Sequence, residues 1–207
     1  MAPATLKVIA AAYSMRRELK IIFLTITAIS LLPVIAIILL TQVGLNLVSD
    51  ALASQNSQTA QVDIHDPKTG LIIDSIREAV IWPAQGPVSL EFAQSSPYQL
   101  FHTGLDIASP NGRVGPPVGA FMKGRVIYAD TQTWGFGRHV IIDHGHGLTS
   151  IYAHLETLKV TRGQEVELGT IIGTLGNSGW STGPHLHFQI NLYNIPVNPR
   201  TFLSGNP

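Results

Sequence analysis

The chain contains no cysteine. That excludes disulfides and every thiolate metal site, and it fits an exported protein that avoids oxidation. Neither charge is in surplus: 13 Lys and Arg balance 13 Asp and Glu over 207 residues. Without a basic excess there is no electrostatic footprint for nucleic acid. Without an acidic tail there is no signal of a disordered, solvating segment. Residues 41–80 carry no sustained heptad, and no stretch of 81–207 sustains an amphipathic helical period. No internal repeat is present. The length suggests one domain, or one domain with an appendage.

Charge is also missing locally. Ile21 to Leu40, IIFLTITAISLLPVIAIILL, has no ionisable residue, and the uncharged run continues to Ser49. About 20 apolar residues at 1.5 Å rise cross a bilayer core. Pro33 would kink such a helix without ending it in lipid. Lys7, Arg16, Arg17 and Lys20 precede the run, and the next basic residue is Lys68. This asymmetry predicts a single transmembrane helix over 21–45, a cytoplasmic segment over 1–20, and the remainder outside the cell membrane. Ala51-Leu52-Ala53 has the small-x-small form of a signal cleavage site. Signal cores of about 7–15 residues are shorter than this one, so the reading is a retained anchor, with cleavage after Ala53 as its rival.

Residues 46–80 read as a linker with a β-hairpin. Ser54 to Gln61 is polar and aperiodic, and VDIHDPKTGLIIDSI places turn chemistry at Asp66 to Gly70 between two apolar segments. From 81 to 207 short strand patterns alternate with glycine and proline: VSLEF, HTGLDIA, GRVIYAD, RHVIIDHG, LTSIYAHL, IIGTLG and HLHFQINL. The fold class is therefore mainly β, a compact antiparallel sheet or sandwich preceded by the single helix.

Histidine is what stands out. In GPHLHFQI a strand period of two puts His185, His187 and Gln189 on one face and Leu186, Phe188 and Ile190 on the other, core face. In FHTGLDIA, His102 and Asp106 point the same way, but about 13 Å apart on a flat strand, too far to share one metal. Either the chain bends at Gly104 or the segment is not a strand, since i and i+4 also meet on a helix. In TSIYAHLE, alternation makes Ile151, Ala153 and Leu155 the apolar face and turns Tyr152 and His154 the other way. Any one of these histidines is more often a hydrogen-bonded core residue than a ligand. Together, on polar faces of a β domain, they favour one zinc ion. Two imidazoles and a carboxylate would leave a fourth position for water, as in catalytic rather than structural sites.

HTGLDIASP, IIDHGHGLTSIYAHL, GNSGWSTGPHLHF and the closing PVNP, in that order, resemble the lysostaphin-type (LytM-type) peptidases of family M23. The likeness runs from about Trp82 to Leu203. It implies a peptidase domain over 81–207, an antiparallel β fold with a narrow groove above one Zn2+ per chain. His102, Asp106 and His187 are the implied metal ligands, and His154 and His185 the implied catalytic residues. The implied activity is a membrane-anchored endopeptidase acting on stem or cross-bridge peptides of peptidoglycan through a zinc-activated water. Tyr152 would pack, or orient one of the histidines. No protein partner is indicated. The chain departs from the pattern at Gln189, where glutamate is frequent, and at Asn111 to Pro117, a longer segment expected to reshape a loop near the groove. His139, His144 and His146 are additional, and DHGHG (Asp143 to Gly147) reads as a hairpin turn. One rival is a structural zinc domain in an envelope or secretion assembly, against which the open coordination position argues; another is a regulatory module, since some relatives of this type have lost their ligands and activate amidases. Here all five positions are filled, which favours the enzyme.

Overall fold

The computed structural model describes residues 4–56, 59 and 61–207, with side chains from Met15 onward. The start of the expected cytoplasmic segment and positions 57, 58 and 60 of the polar linker lie outside the described residues. The chain divides into two compact units, Met1–Leu40 and Thr41–Pro207.

One helix, α1 (Ala4–Leu52), contains Pro33 and continues past the expected limit at 45. Among the described residues it is the one helix long and apolar enough to cross a membrane. Apart from Thr25 and Ser30, its exposed side chains from Phe23 to Leu40 are apolar. The hydroxyls within it turn inward: Thr25 and Thr27 donate to the carbonyls of Ile21 and Phe23, each at 2.8 Å. That is how a polar side chain is satisfied where no water is available.

In the second unit the last turns of α1 are built into the domain. Ser49 is fully buried and accepts the backbone N–H of Asn198 at 2.8 Å, and Leu52 joins the core. The chain then runs directly into β1 (Ala53–Gln55), β2 (Val62–His65) and β3 (Ile72–Ile76), a three-stranded antiparallel sheet in that order. The expected hairpin is β2–β3. The first residues of the segment read as linker are instead strand, because β2 offers Ser54 and Gln55 a paired edge.

The remaining strands are β4 (Val88–Leu90), β5 (Leu105–Ala108), β6 (Pro117–Gly119), β7 (Gly124–Thr131) and β8 (Arg138–Gly145). They continue with β9 (Leu148–Ala153), β10 (Thr157–Leu158), β11 (Glu165–Val166), β12 (Ile171–Thr174), β13 (His185–Leu192) and β14 (Ile195–Val197). The main antiparallel sheet has the order β11-β7-β8-β9-β13-β5-β4, with β14 also paired to β13, and β10-β12-β6 form a small second sheet. A 3-10 turn at Pro199–Thr201 is the one helical element described after α1.

β13 is central, with β9 on one side and β5 on the other. Its alternation is as expected: Leu186, Phe188 and Ile190 are fully buried in the core with Leu105, Ile107 and Phe121. The same register corrects the reading of TSIYAHLE. Tyr152 lies opposite Phe188 and so faces the core, whereas Ile151 and Ala153 lie opposite Gln189 and His187. The Tyr152 hydroxyl accepts the Phe121 N–H at 2.9 Å and the Ser150 hydroxyl at 3.0 Å, so it packs and orients no site histidine.

Candidate metal centre

β13 delivers His185 and His187 to one side of the sheet, and β5 pairs Asp106 directly with His187. His102 arrives differently. β5 begins only at Leu105, and residues 101–104 are irregular, crossing the sheet beside β13. A Cβ on Gly104 would lie 2.3 Å from the Phe188 carbonyl oxygen, so only glycine allows the chain this close. The bend, not a regular strand or helix, brings His102 back over Asp106.

The result is a tight triangle. His102 Nε2 lies 2.8 Å from His187 Nδ1 and 3.0 Å from Asp106 Oδ1, and His187 Nδ1 lies 3.0 Å from Asp106 Oδ1. All three side chains offer a ligand atom to one point, and they form the one group among the described residues found able to hold a metal ion. The rings' other nitrogens assign the tautomers. His102 Nδ1–H donates to the Glu91 carbonyl at 3.2 Å, and His187 Nε2–H donates to Gln189 Oε1 at 3.3 Å. Neutral rings held this way turn two lone pairs and a carboxylate oxygen toward each other, with no proton between them. Such a set fits a cation, with ligand tautomers fixed by outer partners.

Gln189 is that partner for His187. Its Oε1 also accepts from Thr103 Oγ1 at 2.6 Å, and its Nε2 donates to Asn191 Oδ1 at 2.7 Å. Sequence reading placed Gln189 outside the ligand set but did not find Glu91, Thr103 or Asn191. Only the alternation of Asn191 with Gln189 along β13 could have suggested any of them.

Electrostatics follow the geometry. Burial disfavours ionisation of Asp106, but the His102 and His187 rings packed against it outweigh that and hold the carboxyl well below the usual carboxylate range. Burial pushes His187 down, against Asp106. Burial, with His185 and His187 nearby, pushes His154 down to about 4.

His154 follows the end of β9 in the left-handed region, at φ 62°. This breaks the alternation that would have sent it with Tyr152 and turns it toward His185, ring centroids 4.8 Å apart. Its Nδ1–H donates to the Ser178 carbonyl at 2.8 Å, and His185 Nδ1–H donates to the Gly183 carbonyl at 2.8 Å. His185 Nε2 lies 3.7 Å from Asp106 Oδ1. All five residues line one open groove of about 430 Å³.

The additional histidines serve structure. His139 stacks on Tyr128 with centroids 4.4 Å apart. His144 bonds the Lys123 carbonyl and Ser150 Oγ, each at 2.7 Å. His146 bonds the Asp74 carboxylate. The expected turn joins β8 to β9 through His146 and Gly147, at φ 54° and 73°, the pair of positive values that a two-residue hairpin favours. None of the described residues lining the groove comes from 111–117.

Comparison with known proteins matches residues 100–199 to the family model for Peptidase family M23. DD-carboxypeptidase/endopeptidase Mpg of Neisseria meningitidis is 42% identical over 98 residues, which is 47% of this chain and 22% of that protein. Murein hydrolase activator NlpD of Escherichia coli is 38% identical over 122 residues, 59% of this chain and 30% of that protein. The chain thus corresponds to less than a third of either curated relative. A solved structure of the catalytic domain of prophage-encoded M23 protein EnpA from Enterococcus faecalis, in mutant form, is 31% identical with a TM-score of 0.52, covering 61% of this chain and 98% of that one.

Proposed function

The chain belongs to peptidase family M23, and from that premise we propose that it is a membrane-anchored zinc metallo-endopeptidase hydrolysing peptide bonds of peptidoglycan. The observation that carries the reading is the convergence of His102, Asp106 and His187 beside two further histidines in one groove. In this reading the three hold one Zn2+, their tautomers set by Glu91 and Gln189. Zinc, when bound, supplies Lewis acidity, lowering the pKa of water toward about 7 and polarising a carbonyl.

The proton chemistry falls to His154 and His185. His154 is neutral at pH 7, since burial pushes it down to about 4, and its Nε2 lone pair is free to accept a proton while Nδ1–H stays on the Ser178 carbonyl. His185, held through Nδ1 by the Gly183 carbonyl, presents its Nε2 beside Asp106. A protonated ring of the pair can then stabilise an oxyanion or return the proton to the leaving amine. No HExxH glutamate competes for this role.

In the same reading residues 21–45 span the bacterial membrane with the N-terminus inside, 46–80 connect, and 81–207 form the extracytoplasmic peptidase domain. The burial of Ser49, Leu52 and Ala53 supports a retained anchor over cleavage after Ala53, because the bond to be cut lies in the core.

His154→Ala and His185→Ala are expected to abolish release of fragments from purified cell wall while retaining zinc. His102→Ala, Asp106→Ala and His187→Ala are expected to lose zinc too. Full hydrolysis by either of the first two removes that residue from the mechanism, and a folded, zinc-replete variant among the last three contradicts the ligand set. The similarity to NlpD favours a second reading, a non-hydrolytic activator module. Zinc-replete protein without turnover on cell wall would establish that one instead.

A further inference from the structure

Two loops meet at one rim of the groove, and each presents an exposed indole. Trp134 lies in the β7–β8 loop and Trp180 in the β12–β13 connection, 71% and 55% exposed. Their ring centroids are 5.2 Å apart with planes inclined by 36°, so they form one shallow aromatic shelf. Trp180 itself lines the groove.

The shelf is built, not incidental. The Trp180 backbone N–H donates to the Gly135 carbonyl at 2.8 Å. Gly179 and Gly137, both at positive φ, pack backbone to backbone: a Cβ on Gly179 would lie 2.4 Å from the Gly137 nitrogen. This contact locks the loops together and fixes the indoles side by side. Indoles left this exposed keep most of their apolar area in water, so a fixed pair beside a candidate active site marks a binding surface.

The neighbouring chemistry selects the occupant. The loop segments are TQTWGFG and GNSGWSTG, with no ionisable side chain in either. Gln132 and Thr133 flank one indole; Ser181 and Thr182 flank the other. A surface made for a stem peptide would set cations against the peptide's carboxylates, and these segments hold none. Flat aromatic faces with uncharged hydroxyls and amides suit a neutral pyranose. Its C–H face, carrying slight positive charge, lies against the negative π face, and its hydroxyl and acetamido groups find hydrogen-bonding partners at the edges.

We infer that Trp134 and Trp180 form a saccharide subsite that holds an N-acetylhexosamine ring of the glycan strand while the attached peptide enters the groove. This rests on the peptidoglycan reading above.

The test measures binding of chitotetraose, a peptide-free N-acetylglucosamine oligomer, to the full chain in detergent by calorimetry and tryptophan fluorescence. Zinc-loaded and chelator-stripped protein are both used. Trp134→Ala and Trp180→Ala are each expected to lose affinity about tenfold, the scale of one stacked ring. Trp134→Phe is expected to retain most of it, and Trp134→Leu to lose it, which separates ring stacking from apolar area. The inference is overturned if the parent binds no chitotetraose, if the alanine variants bind it unchanged, or if they lose affinity for a glycan-free cross-linked peptide equally. Saccharide binding by a protein that never hydrolyses cell wall would support this subsite while refuting the hydrolase reading.

Discussion

Gly104→Ala is the sharpest test of how the metal centre is assembled. Gly104 lies between His102 and Asp106, and its φ is not in the left-handed region, so the substitution costs nothing in backbone conformation. The cost is contact. The new methyl would stand 2.3 Å from the Phe188 carbonyl oxygen, 2.9 Å from its carbon and 3.1 Å from the Gln189 Cα. A carbon–oxygen contact needs roughly 3.3 Å, so the crossing segment or β13 must yield by about 1 Å. The crossing segment carries His102 and leads straight into Asp106 on β5, and β13 carries His187 and Gln189, so the whole candidate triangle shifts with them. A misplacement of about 1 Å costs on the order of 100-fold in rate, and overpacking of this kind costs about 1–3 kcal/mol of stability. Zinc affinity by chelator competition is expected to fall at least about tenfold, and cell-wall hydrolysis about 100-fold. Gly183→Ala is the control, because a Cβ there meets nothing within 4 Å. Parent-like zinc affinity and turnover in folded Gly104→Ala would refute the claim that close approach at this glycine closes the site.

Tyr152→Phe removes the acceptor of the buried Phe121 N–H and is expected to destabilise the domain by about 1–3 kcal/mol in urea, with zinc content unchanged. A loss of zinc would return Tyr152 to the site. Stability should also fall with acidity through His144, which burial pushes down to about 4 from 6.5. The unfolded chain takes up its proton near 6.5 and the folded chain only near 4, so stability is full above 6.5 and declines as pH falls toward 4. The decline amounts to about 3 kcal/mol from this group. Urea midpoints across that window should flatten in His144→Asn, and equal slopes in both proteins would refute the assignment.

What was legible in the chain depended on the length of each pattern. β13 and β8 were read at their observed bounds, because eight residues of alternation or apolar run between turn residues leave little choice. β10 and β11 have two residues each, and β6 and β14 three, too few to show a period. Distant partners define them, as Pro117 to Gly119 against β12. The metal triangle was legible in its members but not in its closure. A flat strand keeps His102 from Asp106, and only the contact of Gly104 with the Phe188 carbonyl reveals the bend. The placing of His154 was hidden for a similar reason: one residue of positive φ reverses the alternation that local sequence prescribes.

His102 and His187 touch across a separation of 85 residues. During synthesis the earlier half of the grip waits while most of the domain is still being made, and the later half arrives only with β13. The centre therefore matures last. The candidate centre stays in scattered parts until the final long strand slots between β9 and β5, so its closure is tied to the connectivity of the sheet.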